Sequence, residues 1–285
     1  LVTDELGRDV FALMLQGAWV SLSVGFVAVG IDVLIGILLG GLAGYYGQNP
    51  IRVGEVFIAV LVIWMALGWG KLSTLILVFL ALAAIAIAAV LVVQRGSDSR
   101  RLFHVFSAQF LSVDMVITGL IDIMLCFPSF FLILTVVALL PASIYNIMIV
   151  IGITSWMGAA RFVRAEFLSL REQDFVAAAR ALGVPDWRII FRHMVPNAIS
   201  PVLVSATIGI AGAILTEAGL SFLGFGVPPP DATWGNILSD GKNYLFDAPW
   251  LTFVPGIAIL VVVLSFNLFG EGLRDILNPK LRERH

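Results

Sequence analysis

Residues Ile123–Ala160 read IMLCFPSFFLILTVVALLPASIYNIMIVIGITSWMGAA, with no Asp, Glu, Lys or Arg among them. A helix crosses the hydrocarbon of a bilayer in roughly 20 apolar residues, so this run is long enough to go across and return, with Pro141 at the turn. Backbone N–H and C=O groups in lipid must be satisfied within the segment itself, which makes such runs helices. Other runs free of these four residue types lie at Val10–Ile31, Leu72–Gln94, His193–Thr216 and Ala248–Gly270. The composition agrees: 60% of the 285 residues are hydrophobic and 13% charged, and the mean hydropathy is +1.01. Soluble domains are about half apolar and about a quarter charged. The fold class is therefore all-α, a polytopic transmembrane helix bundle.

Working outward from that run, the spans are expected at 18–46, 54–69, 72–93, 115–139, 143–164, 198–222 and 251–271. Pro128 should kink the fourth, because it lacks an N–H and clashes with the preceding turn. The run 54–69 is short. Pairing it with 72–93 as a hairpin turned at Gly68-Trp69-Gly70-Lys71 keeps the basic loops on one side. With the N-terminus outside, every Lys and Arg except Arg8, Lys71 and Lys242 falls on the inner side, as the positive-inside rule requires. The expected organisation is an outer N-terminal segment 1–17, a transmembrane domain 18–271 carrying a long outer loop 223–250, and an inner tail 272–285.

Between the fifth and sixth spans lies a polar island, Glu172–Asn197, EQDFVAAARALGVPDWRIIFRHMVPN, expected on the cytoplasmic side. Asp174 can cap a helix with Phe175, Ala178, Ala179 and Leu182 as its apolar stripe, and Gly183 suits the left-handed residue that ends it. Pro185 and Asp186 then open a second helix with Trp187, Ile190, Phe191 and Met194 on one face. The alanines let a partner approach closely, Phe175 and Trp187 can anchor in a pocket, and Arg180, Arg188 and Arg192 would rim the contact. An interfacial helix pair lying on lipid headgroups is the alternative; the small alanines favour a protein partner.

The island resembles the coupling loop of ABC importer permeases, in which Ala-Ala is followed by Gly and, thirteen residues later, by Pro; here these are Ala178-Ala179, Gly183 and Pro196. Further matching stretches are Thr3–Val10, Asp122 with Phe127-Pro128, Ala218–Gly226, Trp234-Gly235, Asn267–Gly270 and Leu273–Asp275. Together they resemble the C-type permease subunit of dipeptide, oligopeptide and nickel ABC transporters, which implies a MetI-like fold. The family's Glu position is Ala177, the family has one more helix before Thr3, and residues 52–112 look like an insertion. The resemblance implies an ATPase-coupling role for Asp174, Phe175, Ala178, Ala179, Arg180, Leu182, Gly183, Trp187 and Pro196. It implies as partners a homologous permease, two cytoplasmic ATPase subunits and an extracytoplasmic binding protein, with ATP and Mg held by the ATPases and no cofactor on this chain.

Ionisable residues inside spans are costly and are candidates for the translocation path. They are Asp32, Asp122 and Glu217, with hydrogen bonding at helix crossings as the structural alternative for the latter two. Glu271, at the inner end of the last span, is expected to be an interfacial anchor or an ion-pair partner for Arg274. Other chemistries find no support. The Gly70-Lys71 pair lacks a P-loop, since Met65 and Leu72 stand where Gly and Ser or Thr are needed. His104, His193 and His285 are scattered, Cys126 is the only cysteine, and Ser200 and Ser221 have no nucleophile elbow. There is no nucleic-acid module. An ion-gradient-driven transporter and a membrane-embedded enzyme are the rival readings; internal repeats or a catalytic cluster at one depth would mark them, and neither is visible.

Overall fold

The computed structural model describes residues 3, 7–47, 50–51 and 111–277. The chain forms two compact units, one of residues 1–45 with 119–285 and one of residues 46–118. In the second unit, Pro50–Ile51 pairs antiparallel with Leu111–Ser112, Pro50 opposite Ser112. The expected spans 54–69 and 72–93, with their turn, lie outside the described residues.

The first unit is built on α1 (Val10–Tyr46). Asp9 starts this helix, its Oδ1 accepting a hydrogen bond from the Phe11 N–H at 2.9 Å, which satisfies one of the donors a helix start leaves open. Lipid tails are as apolar as leucine, so helices here are held by close packing rather than by expulsion from water. The sequence provides for this with Gly36, Gly40 and Gly44, one turn apart on α1. A Cβ on Gly36 would sit 2.5 Å from the Cβ of Ala159, one on Gly40 would overlap the Ala160 carbonyl oxygen, and one on Gly44 would overlap the Phe167 side chain. Any larger residue at these positions would push α1 off its neighbour.

The span expected at 115–139 is broken in two, as α2 (Val113–Leu125) and α3 (Ser129–Leu139), which meet at 82°. Pro128 is the cause. It sits at φ −60°, ψ 113°, offers no N–H and forces the preceding residue out of helical geometry, so the kink expected there is a full break. The next span is also bent, α4 (Ile144–Ser155) meeting α5 (Met157–Arg171) at 41°. After the short helix α6 (Asp174–Ala181), a turn at Asp186–Arg188 runs through a π-helix, Ile189–Met194, directly into α7 (Val195–Phe222). The short helix α8 (Trp234–Gly241) and α9 (Trp250–Leu277) complete the unit. Val10–Tyr46, Asp186–Phe222 and Trp250–Leu277 are each long and apolar enough to cross a membrane, and the two bent pairs bring the candidates among the described residues to 5.

Val24 of α1, Ile147 and Ile151 of α4, and Ile214 and Leu220 of α7 are buried together at the centre. Phe26 of α1 meets Phe266 of α9 edge to face, ring centres 5.8 Å apart. Phe253, Ile257, Leu260 and Leu264 of α9 remain exposed, a surface suited to lipid or to another membrane chain.

Candidate functional site

The residue that caps α6 is Gln173, not Asp174: its backbone is extended, and its carbonyl accepts from Val176 and Ala177. Asp174 lies in the first turn, where a carboxylate favours the helix dipole. The expected apolar stripe is divided. Val176 and Ala179 are buried, whereas Phe175 and Leu182 are exposed, Leu182 by 82%. Sequence periodicity selected the outward stripe and missed Val176, the residue that holds the helix down.

Gly183 ends α6 as expected, at φ +71°. The Val184 N–H reaches the Ala179 carbonyl at 3.1 Å and the Gly183 N–H that of Arg180 at 2.9 Å, the two bonds of a Schellman turn. Beyond Pro185 the second helix does not stop at Pro196. It is the first part of the membrane helix that continues to Phe222. The π-helix puts extra residues into each turn and so shifts the expected face. Ile189, Ile190 and Met194 turn inward, while Trp187 (59%) and Phe191 (54%) point out. Pro196 sits at the start of α7, where a missing N–H is tolerated.

Arg188 lies 5.2 Å from the Trp187 ring centre, at the exposed edge where it was expected. Arg180 does something else. Its guanidinium stacks over the Tyr45 ring at 4.8 Å, and the Tyr45 hydroxyl donates to Asp186 Oδ1 at 2.6 Å. The last turn of α1 is thus clasped between α6 and the turn that begins the long helix. Tyr45 sits at the end of α1, and its hydroxyl is spent on the island.

The three intramembrane acids fare differently. Glu217 is fully buried (0% exposed) and accepts from Ser21 Oγ at 3.2 Å and Ser221 Oγ at 2.6 Å. Thr233 Oγ1 donates to Ser221 Oγ at 3.3 Å, and the Trp234 N–H donates to Ser21 Oγ at 3.4 Å. This network fastens α1, α7 and the start of α8 together, in line with hydrogen bonding at a helix crossing. Ser21 and Thr233 escaped notice because isolated hydroxyls carry no pattern. Asp122 on α2 pairs with Arg161 on α5 at 2.9 Å, both largely exposed. Asp32 on α1 faces Gly209 of α7, and its Oδ1 is buried without a hydrogen-bond partner among the described residues. Arg274 does not pair with Glu271, and no group of His, Cys, Asp or Glu among the described residues is arranged to hold a metal.

Residues 105–283 match the family described as the binding-protein-dependent transport system inner membrane component. The chain is 36% identical to the dipeptide transport system permease protein DppC of Alkalihalophilus pseudofirmus, over 98% of this chain and 71% of that protein. It is 32% identical to the oligopeptide transport system permease protein OppC of Bacillus subtilis, over 99% and 72%. In fold it is similar to a chain of the inward-facing MetNI methionine ABC transporter, with a TM-score of 0.56 at 14% identity, covering 93% of this chain and 97% of that one. The fold and the site together define a multi-pass membrane permease subunit of a binding-protein-dependent ABC importer. The chain belongs to the binding-protein-dependent transport system inner membrane component family, whose members work with an ATPase and a substrate-binding protein. The reading as an ion-gradient-driven transporter is set aside.

Proposed function

We propose that this chain imports short peptides as one half of a permease pair, with no catalysis of its own. A homologous permease completes the path, two cytoplasmic ATPases hydrolyse Mg-ATP, and a binding protein delivers the peptide to the outer loop 223–250. The peptide substrate follows the names of the relatives, dipeptide and oligopeptide permeases. The N-terminus faces outward and the island inward, as the distribution of Lys and Arg requires.

The observation that carries this reading is an exposed apolar surface on a segment too short to be stable alone. Helix α6 spans Asp174–Ala181, and isolated helices of that length are marginal in water. It is nevertheless held by Val176, Ala179 and the stacking of Arg180 on Tyr45, while Phe175, Leu182 at its end and Trp187 in the following turn point outward. ATPase closure pressing on these side chains has two outlets. One is the unbroken helix from Asp186 to Phe222, which moves as a lever. The other is Tyr45, through which α1 is carried along. Transport follows if the two global states of the bundle differ in affinity for the ATP-closed dimer. Asp32, with an unpartnered oxygen between α1 and α7, is the path-lining residue of this scheme; Asp122 and Glu217 serve structure.

The test is Leu182→Asp, which places a charge in the docking surface and touches nothing inside the fold. The variant permease should reach the membrane in normal amount and fail to retain its ATPase on affinity purification. Full retention of ATPase with normal uptake would remove the docking assignment.

A further inference from the structure

A groove of about 560 Å³ opens between α5, α7 and α9 at the end of the bundle that carries the island. Small-ligand sites run from about 300 to about 1,000 Å³, so its size suits a di- or tripeptide. Each helix contributes residues one turn apart: Phe162 and Glu166 from α5, Val204, Ser205 and Ile208 from α7, Arg274 and Leu277 from α9. The wall is mainly apolar, yet it carries one carboxylate and one guanidinium. Neither Glu166 nor Arg274 makes a hydrogen bond or ion pair with any described residue, although opposite charges at a helix-lined groove normally find partners. Ser205 adds a hydroxyl. Pro201, also in the lining, has no N–H for the carbonyl of Asn197 one turn back, which leaves a backbone acceptor on the same face of α7.

The geometry points to a binding site for the free zwitterion of a short peptide: the α-ammonium on Glu166, the terminal carboxylate on Arg274, and apolar side chains against Phe162, Ile208 and Leu277. This rests on the peptide-importer reading and adds to it a site, its residues and its ligand form. An unpaired acid and an unpaired base in one groove match a ligand bearing both charges, and a guanidinium fork suits a carboxylate in particular. Position at the inner end makes this the last contact before release, and the first contact for peptide accumulating in the cytosol. Occupancy from that side would therefore slow further import.

The experiment uses the chain in complex with its permease and ATPase partners, in phosphatidylcholine nanodiscs without binding protein. Equilibrium binding of radiolabelled leucyl-alanine, N-acetyl-leucyl-alanine and leucyl-alanine amide is compared across the native complex, Glu166→Gln and Arg274→Gln. Losing one charge-assisted contact should weaken binding about tenfold. Acetylation and Glu166→Gln should cost the same and not add, since both remove one contact; amidation and Arg274→Gln should behave likewise. Should a variant fail to assemble, the capped peptides on the native complex make the same comparison. Equal binding of free and capped peptides, additive losses, or displacement of the peptide by phosphatidylethanolamine (a lipid site) would overturn the proposal. In sealed proteoliposomes supplied with the binding protein, ATP-driven uptake of leucyl-alanine with a silent groove sinks the groove alone; absent uptake by the native complex there sinks the importer reading, and this proposal with it.

Discussion

Tyr45→Phe separates the clasp into its parts. The substitution keeps the ring under Arg180, at 4.8 Å, and removes the hydroxyl, which donates to Asp186 at 2.6 Å and also interacts with the Arg180 guanidinium. A hydrogen bond to a charged group contributes about 1.5–3 kcal/mol. Asp186 is exposed, so water recovers part of the loss, and about 1–1.5 kcal/mol is expected here. That is roughly a tenfold change in an equilibrium, at 1.36 kcal/mol per factor of ten. The assay is ATPase affinity for the permease in nanodiscs, measured for Tyr45→Phe, Asp186→Ala and the pair. If the clasp holds the docking surface in place, each single change weakens docking up to tenfold and the double change adds little. Peptide-stimulated ATP hydrolysis should fall in step while basal hydrolysis by the free ATPase is untouched. Strict additivity, or unaltered affinity in all three variants, would refute the idea that α1 is mechanically joined to the island through Tyr45.

Gly40→Leu should prevent folding, since even a Cβ there overlaps the Ala160 carbonyl oxygen, whereas Gly30→Leu, which meets nothing within 4 Å, should be tolerated; fluorescence-detected size exclusion in detergent separates the two. Glu217→Ala strands the Ser21 and Ser221 hydroxyls and leaves a void, and should lower stability by about 2–4 kcal/mol, while Glu217→Gln, which fills the space and keeps one of the two acceptor oxygens, should lose less by thermal shift. Asp122→Asn should cost less than about 1 kcal/mol, because its pair with Arg161 is exposed. Gly183→Ala must adopt φ +71° and should cost about 1–2 kcal/mol, read as weakened ATPase docking.

Membrane helices were legible because a bilayer imposes length and apolarity residue by residue. The ends were less so: α1 begins at Val10 and α9 runs to Leu277, because helix geometry persists beyond the hydrocarbon where composition no longer marks it. Pro128 announced a disturbance, but its size depended on how α3 could pack once released. The Gly183 turn could be read directly, since few residues adopt its backbone. The faces of the island could not. A 3.6-residue period was the natural assumption after Pro185, and the π-helix of Ile189–Met194 broke it, sending Trp187 outward and Ile190 inward. Long-range partnerships such as Tyr45 with Asp186, or Ser21 with Glu217, leave no trace in spacing, because the two members lie far apart in the chain.

The central claim is that the surface around Leu182 is gripped by a cytoplasmic ATPase. The direct measurement is site-specific cross-linking from Leu182→Cys, in a Cys126→Ser background, to its ATPase partner in inside-out vesicles. A cross-link whose yield shifts when ATP closes the ATPase pair is the predicted result. Labelling of that cysteine by an impermeant maleimide added to intact, right-side-out cells, with no ATPase adduct in either nucleotide state, would contradict it.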